Sequence, residues 1–208
     1  MTWLTDFDGT EPEAFATYDG VAFDGLAFED LAAGNLTLLE CWLGHTSFER
    51  CELDRGAVSE SLFEDVRLVA TGLSESRWRE LAVRECVLAG VDLAASELRR
   101  VTVTGGKWEG VNLRGATLRD TVFEDCVLTD LDLVGATLDK CAFRGCRITG
   151  LDLTDARLAA TDFRTSELDV RRGHLGLAGA TVDLSQLMAL APGLAAQVGI
   201  DVRTSGKS

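Results

Sequence analysis

Ala116-Thr117-Leu118-Arg119-Asp120-Thr121-Val122-Phe123-Glu124-Asp125-Cys126-Val127-Leu128-Thr129-Asp130-Leu131-Asp132-Leu133-Val134-Gly135 puts an apolar side chain at every fifth position, at Leu118, Phe123, Leu128 and Leu133. Two residues before each stands an uncharged one: Ala116, Thr121, Cys126 and Leu131. A helix repeats every ~3.6 residues and a strand every ~2, so this spacing belongs to neither. It must repeat a turn-sized unit, and a chain of such units is a solenoid.

Working outward, the register runs from Phe23 to Leu168 without a slip, through thirty positions that hold sixteen Leu, seven Phe, three Val, two Trp, one Ile and one Ala. The thirty positions that lie two residues earlier carry no charge at all, whereas the other three registers from Asp24 to Asp169 hold 43 charged residues. Two residues of each unit therefore point inward and three meet water. A longer period of twenty overlies the short one: the column from Leu53 to Leu153 is Leu six times running, and Val91-Asp92-Leu93 echoes at Val111-Asn112-Leu113, Leu131-Asp132-Leu133 and Leu151-Asp152-Leu153. Four units thus make one coil. Thirty units predict about seven and a half coils, and strand spacing of ~4.8 Å makes the rod about 36 Å long.

Units such as Val91-Asp92-Leu93-Ala94-Ala95, Ala116-Thr117-Leu118-Arg119-Asp120, Leu151-Asp152-Leu153-Thr154-Asp155 and Ala156-Arg157-Leu158-Ala159-Ala160 resemble the A(D/N)LXX consensus of the pentapeptide-repeat proteins. The resemblance implies an all-β fold, a right-handed quadrilateral β-helix whose central Leu or Phe side chains stack from coil to coil. A solenoid of this kind needs its ends covered, because each coil touches only its neighbours.

The expected organisation has an N-terminal cap over residues 1–20, the repeat helix over 21–170 and a C-terminal capping and dimerisation segment over 171–208, disordered after 203. Trp3, Leu4, Phe7, Phe15 and Tyr18 supply the apolar surface of the first cap. In the C-terminal segment the register fails at Gly173, and an apolar helical pattern follows at Leu184, Leu187, Met188, Leu190 and Ala191, with Asp183 or Ser185 as its N-cap. Pro192 is expected to break or restart that helix, and Gly199-Ile200-Asp201-Val202 reads as a short strand. Such a piece cannot bury its apolar face alone, so it is expected both to cap the last coil and to pair with a second copy. Leu184, Leu187, Met188, Leu190, Leu194, Val198 and Ile200 form the expected dimer interface. The N-terminus shows no basic and apolar leader, and no run of eighteen apolar residues occurs. These features predict a soluble cytoplasmic protein without a membrane partner.

Reactive residues are accounted for by the register. All six cysteines, Cys41, Cys51, Cys86, Cys126, Cys141 and Cys146, stand in the small inward position and read as buried thiols that replace Ala. His45 and His174 lie in no nucleophile, metal or phosphate motif. Gly105-Gly106 is not a phosphate loop, since Gly106 is simply the smallest inner residue. The acid pairs Glu64-Asp65 and Glu124-Asp125 are outward neighbours rather than opposed carboxylates across a cleft. The reading predicts no enzyme, no metal and no cofactor.

The surface remains, and its net charge is −14. That balance disfavours direct nucleic-acid binding and favours a basic partner. Three of the four faces are acidic, and the fourth gathers Arg77, Arg79, Arg99, Arg100, Arg119, Lys140 and Arg157. Asp92, Asn112, Asp132 and Asp152 are expected to bond to turn backbone. The predicted partner-binding surface is Asp24, Glu29, Asp30, Glu64, Asp65, Glu85, Glu124 and Asp125. The stretch Gly179-Ala180-Thr181-Val182-Asp183-Leu184-Ser185-Gln186 before the helix, with Gly199-Ile200 after it, is similar to the C-termini of the quinolone-resistance pentapeptide proteins, the Qnr and MfpA-like group. That resemblance implies a homodimer joined at its C-terminal ends, which binds DNA gyrase or topoisomerase IV as a DNA mimic and protects it from quinolones or natural gyrase poisons. The uninterrupted register departs from Qnr proteins, whose loops project from the coils. Two other readings stand beside it: a regulatory scaffold with a non-topoisomerase partner, and a self-immunity factor against a gyrase-poisoning natural product.

Overall fold

The computed structural model describes residues 4–202, so the expected roles of Trp3 and of the tail after 203 lie outside the described residues. The chain winds as a parallel β-solenoid in which each backbone group bonds to the coil twenty residues away: Thr117 pairs with Thr137, Leu118 with Leu138 and Arg119 with Asp139. Its first face is a ten-stranded sheet that runs from Thr5–Asp6 to Ala180–Thr181. The second and fourth faces are eight-stranded sheets, from Ala27–Glu29 to Glu167–Arg172 and from Thr17–Asp19 to Arg157–Ala159. Ten strands on one face enclose about nine coils. The count exceeds the expected seven and a half because segments outside the strict register add to the sheets at both ends. Thr5 and Asp6 pair with Val21 and Ala22, and Ala180 and Thr181 with Thr161 and Asp162. At ~4.8 Å per coil the rod is about 43 Å long.

The third face is built differently. Its coils meet through single bridges, from Ala32 and Glu52 through Asp92, Asn112 and Asp132 to Asp152. The pattern holds on every coil of this face, and on the later coils side chains support the turn: Asp92, Asn112, Asp132 and Asp152 each accept the backbone N–H two residues on, at 3.0, 3.0, 3.1 and 3.0 Å. In an earlier coil Gly72 leaves room for Asp54, which accepts from Ser74 N at 2.7 Å instead.

Every corner of the rod is left-handed. Residues 30, 35, 40 and so on to 165 all have positive φ, whether Gly or not; Asp65 sits at 54°, Glu85 at 50° and Asp125 at 54°. The cost for a side chain there is about 1–2 kcal/mol, and the coil-to-coil hydrogen bonds offset it. Gly106 differs from the expectation that it is merely small. It follows Gly105 with a second positive φ, 77°, and a β-carbon there would overlap the carbonyl of Cys86.

Inside, the inward registers form one continuous core. Phe123, Phe143 and Phe163 stack with centroids 5.0 and 4.7 Å apart and nearly parallel rings. Polar residues of the second inward register find carbonyls: Ser166 Oγ donates to Phe143 O at 2.9 Å, and Thr46 Oγ1 to Gly44 O at 2.9 Å. Neutral hydroxyls and thiols fit that slot, and charges do not. All six cysteines are buried and free.

The two ends close in different ways. At the first coil Phe7 stacks on Phe23 at 4.5 Å and Pro12 is buried, while Phe15 stands exposed on a corner. At the last coil helix α1, Leu184–Gln197, seats Gln186 in the column of Cys126, Cys146 and Ser166, where its Nε2 donates to the carbonyls of Phe163 and Ser166 at 2.6 Å each. Asp183 and Gln186 form a reciprocal capping box at its start. Two expectations are corrected here. The helix runs through Pro192; the ring removes only the bond to Met188, which lies on the exposed side. Gly199-Ile200 is not a strand, because Gly199 N–H bonds Ala196 O and Ile200 N–H bonds Ala195 O, the paired bonds that end a helix at a left-handed Gly.

Candidate interaction surface

The structure separates the eight predicted acids into two groups. Asp24, Glu64, Asp65, Glu85, Glu124 and Asp125 lie on the first face or on the corner that leads to the second. Glu29 and Asp30 lie on the second face and its next corner, where Arg50 neutralises them: its guanidinium donates to Asp30 at 2.8 and 3.0 Å and lies 3.5 Å from Glu29. The hydrogen bond from Arg50 holds the Asp30 carboxyl below its ordinary range. Within the larger group Asp24 accepts from His45 Nδ1 at 2.9 Å, and Glu64 lies 3.9 Å from Arg84. Asp65, Glu85, Glu124 and Asp125 make no ion pair among the described residues. Glu85 and Asp125 lean over Gly105 and Gly145 of the next coil, which have no side chain to obstruct them. These four unpaired carboxylates share one edge of the rod, and the Glu64-Asp65 and Glu124-Asp125 pairs stand three coils apart, about 14 Å.

The fourth face carries the opposite sign in a column. Arg79, Arg99 and Arg119 are in register on adjacent strands. Arg119 reaches Asp139 at 3.3 Å and Arg79 reaches Glu80 at 3.6 Å, while Arg99 has no ion pair among the described residues.

At the C-terminal end the seven predicted interface residues divide. Leu190 is buried on the last coil and Leu194 packs beside it, so these two belong to the cap. The four-residue spacing from Gln186 through Leu190 to Leu194 puts all three on the inward stripe of α1. Leu184, Leu187, Met188, Val198 and Ile200 remain exposed, and Leu175 joins them from the turn before the helix. An apolar groove of about 320 Å³ runs between that turn and α1.

Sequence reasoning passed over Trp42. It stands in an outward position on the first face, half-buried, with its six-membered ring laid over Gly44 of the same strand. The His45 ring meets it edge-on at 6.3 Å. The signal was a Trp in an outward register two residues before a Gly, and the register alone could not show that the two are one feature.

Among the described residues no group of three or more His, Cys, Asp or Glu side chains is placed to hold a metal. Burial pushes the Cys86 and Cys141 thiols up to about 11, which disfavours the thiolate. No helix among the described residues is long and apolar enough to cross a membrane.

A family model described as a pentapeptide repeat region matches residues 96–171. No curated protein matches the chain in sequence. Among solved structures, a trypsin-treated variant of QnrB1, a plasmid-mediated fluoroquinolone resistance protein, superposes with a TM-score of 0.55 at 18% identity, covering 90% of this chain and 100% of that one. HetL, a pentapeptide repeat protein involved in heterocyst differentiation regulation from the cyanobacterium Nostoc sp. strain PCC 7120, gives 0.34 at 17% identity over 84% of this chain and 92% of its own. The QnrB1 superposition shows a common fold.

Proposed function

We propose that this chain, whose residues 96–171 match a pentapeptide repeat region, is a non-enzymatic mimic of duplex DNA that binds DNA gyrase or topoisomerase IV in the cytoplasm. In this reading it protects the enzyme from quinolones or from natural gyrase poisons. The observation that carries the proposal is the edge of unpaired carboxylates, Asp65, Glu85, Glu124 and Asp125, held at fixed spacing by a rigid parallel ladder. Fixed charge matters because duplex DNA presents one negative charge per ~1.7 Å of axis, and a protein saddle built for it releases or gains counterions accordingly. A net charge of −14 over a rod of about 43 Å amounts to one charge per ~3 Å, roughly half the density of DNA. Two rods joined through Leu184, Leu187 and Met188 would present a cylinder about 86 Å long.

Pulldown of gyrase and inhibition of its supercoiling activity test the proposal. Both are expected at low salt and both should weaken steeply as salt rises; absence of both at low salt overturns it. Leu187→Glu with Met188→Glu is expected to convert a dimer to a monomer by sedimentation and to weaken inhibition. One specific observation favours the second reading, a scaffold for a different partner: a DNA mimic has no use for the Arg79, Arg99 and Arg119 column. A rod that ignores gyrase but captures an acidic protein through those arginines would establish that reading.

A further inference from the structure

The first face carries a feature that charge alone does not explain. Gly44 ends the strand Trp42–Gly44 at an outward position, where glycine gives up side-chain packing. It is absent from the positive-φ residues, so its backbone does not require glycine. What requires glycine is the Trp42 ring, which fills the space a β-carbon would occupy. An outward strand position has thus been left empty to lay an indole flat on the rod.

The surroundings of that indole are consistent in chemistry. Leu62 and Ala82 continue its column on the next two coils in strict register, which gives an apolar floor along the first face. Two shallow depressions of about 370 and 350 Å³ lie along this floor and share Leu62 and Arg84. Carboxylates border it on both sides. Asp24 and Glu64 stand on the Gly44 side, and Glu40, Glu60 and Glu80 form a corner column on the other. Glu40 and Glu60 make no ion pair among the described residues, whereas Glu80 is tied to Arg100. The local cations, His45 on Asp24 and Arg84 at 3.9 Å from Glu64, are both held at the rim by their own acids.

We propose that this trough is a docking site for arginine side chains of a basic partner protein, with Trp42 as the platform on which a guanidinium stacks and Glu40, Glu60 and Glu64 as its hydrogen-bond acceptors. A planar guanidinium matches both halves of the site, since it stacks on an aromatic face and bonds carboxylates with its edge. A lysine ammonium matches only the second. The proposal rests on the reading that the acidic side of the rod meets a basic protein surface, and it adds the anchor that would make the meeting selective.

Calorimetric titration of the full chain with hexa-arginine and hexa-lysine peptides tests it apart from gyrase. Hexa-arginine is expected to bind several-fold more tightly than hexa-lysine, and Trp42→Ala to weaken hexa-arginine about tenfold while hexa-lysine changes little. Should Trp42→Ala fail to fold, the surface pair Glu40→Gln with Glu60→Gln must weaken hexa-arginine by a comparable factor. Equal affinity for the two peptides, or hexa-arginine binding indifferent to both variants, overturns the proposal. Gyrase inhibition with no role for Trp42 in peptide binding would sink the trough alone; peptide binding through Trp42 without gyrase inhibition would sink the gyrase reading alone.

Discussion

The two halves of the rod share one register and pack differently. In the C-terminal half Leu93, Leu98, Trp108, Leu113, Leu138 and Leu153 are all 0% exposed and the Phe123, Phe143 and Phe163 rings stack in parallel. In the N-terminal half Phe48, Leu53, Val58, Phe63 and Leu73 retain 7–8% exposure around an apolar cavity of about 60 Å³ that extends from Pro12 to Trp78. The sequence differs in the same direction, because the family pattern matches only residues 96–171. On the third face the C-terminal coils have Asp92, Asn112, Asp132 and Asp152 where the earlier ones have Ala32, Glu52 and Gly72. A regular core and a self-bonding turn thus go together. Where the turn residue is missing, the cavity appears, and Trp42 stands on the outer wall of the same coils.

The sharpest way to break this comparison is at the midpoint of the rod. Gly106→Ala puts a β-carbon into the Cys86 carbonyl at a φ of 77°, and urea unfolding should show a loss of about 3 kcal/mol or more. Next comes a matched pair of truncations. Phe143→Ala should cost about 3–5 kcal/mol, and Phe48→Ala clearly less, since its neighbours already border a void. Equal losses would contradict the packing difference. Adding one methyl reverses the sign: Val58→Ile should gain up to about 1 kcal/mol by filling the cavity, whereas Val103→Ile should lose about 1–3 kcal/mol in the tight half. Because solenoid stability is a sum over neighbours, hydrogen exchange should open the N-terminal coils first.

The smallest effect concerns His45. Its hydrogen bond to Asp24 raises its pKa above the ordinary 6.5, with further help from Asp65 and Glu64. A raised folded-state value means that the contact is fully present below the unfolded value and is lost as pH rises through the folded one. An NMR titration should find the His45 midpoint above 6.5, and Asp24→Asn should bring it back down.

Much of this is legible in the sequence. The period of five named the core residues, put all six cysteines inside, and picked out Asp92, Asn112, Asp132 and Asp152 as turn-bonding. The register also hid what depends on the backbone. It treats all outward positions alike, but Asp30, Asp65, Glu85 and Asp125 occupy left-handed corners, while Asp24, Glu29, Glu64 and Glu124 lie on strands. It could not show that Arg50 reaches back one coil to neutralise Asp30, because ion pairing depends on side-chain direction as well as on spacing. Residues 5–6 pair sixteen positions ahead instead of twenty, so the extra coil at that end left no periodic trace. Leu190 looked like its exposed neighbours until the Gln186 cap fixed which stripe of α1 turns inward.

The central claim is that the carboxylate edge of the first face, rather than net charge, takes the place of DNA. Gyrase supercoiling at low salt measures it most directly, with the wild-type rod, a variant that combines Glu64→Lys, Asp65→Lys, Glu124→Lys and Asp125→Lys, and a control of equal charge change, Glu52→Lys, Glu75→Lys, Glu97→Lys and Asp155→Lys, at exposed positions on the third and fourth faces and the corner between them. The account predicts inhibition by the wild type and by the control and none by the edge variant, all three being folded by circular dichroism. Inhibition by the edge variant at wild-type strength would contradict it.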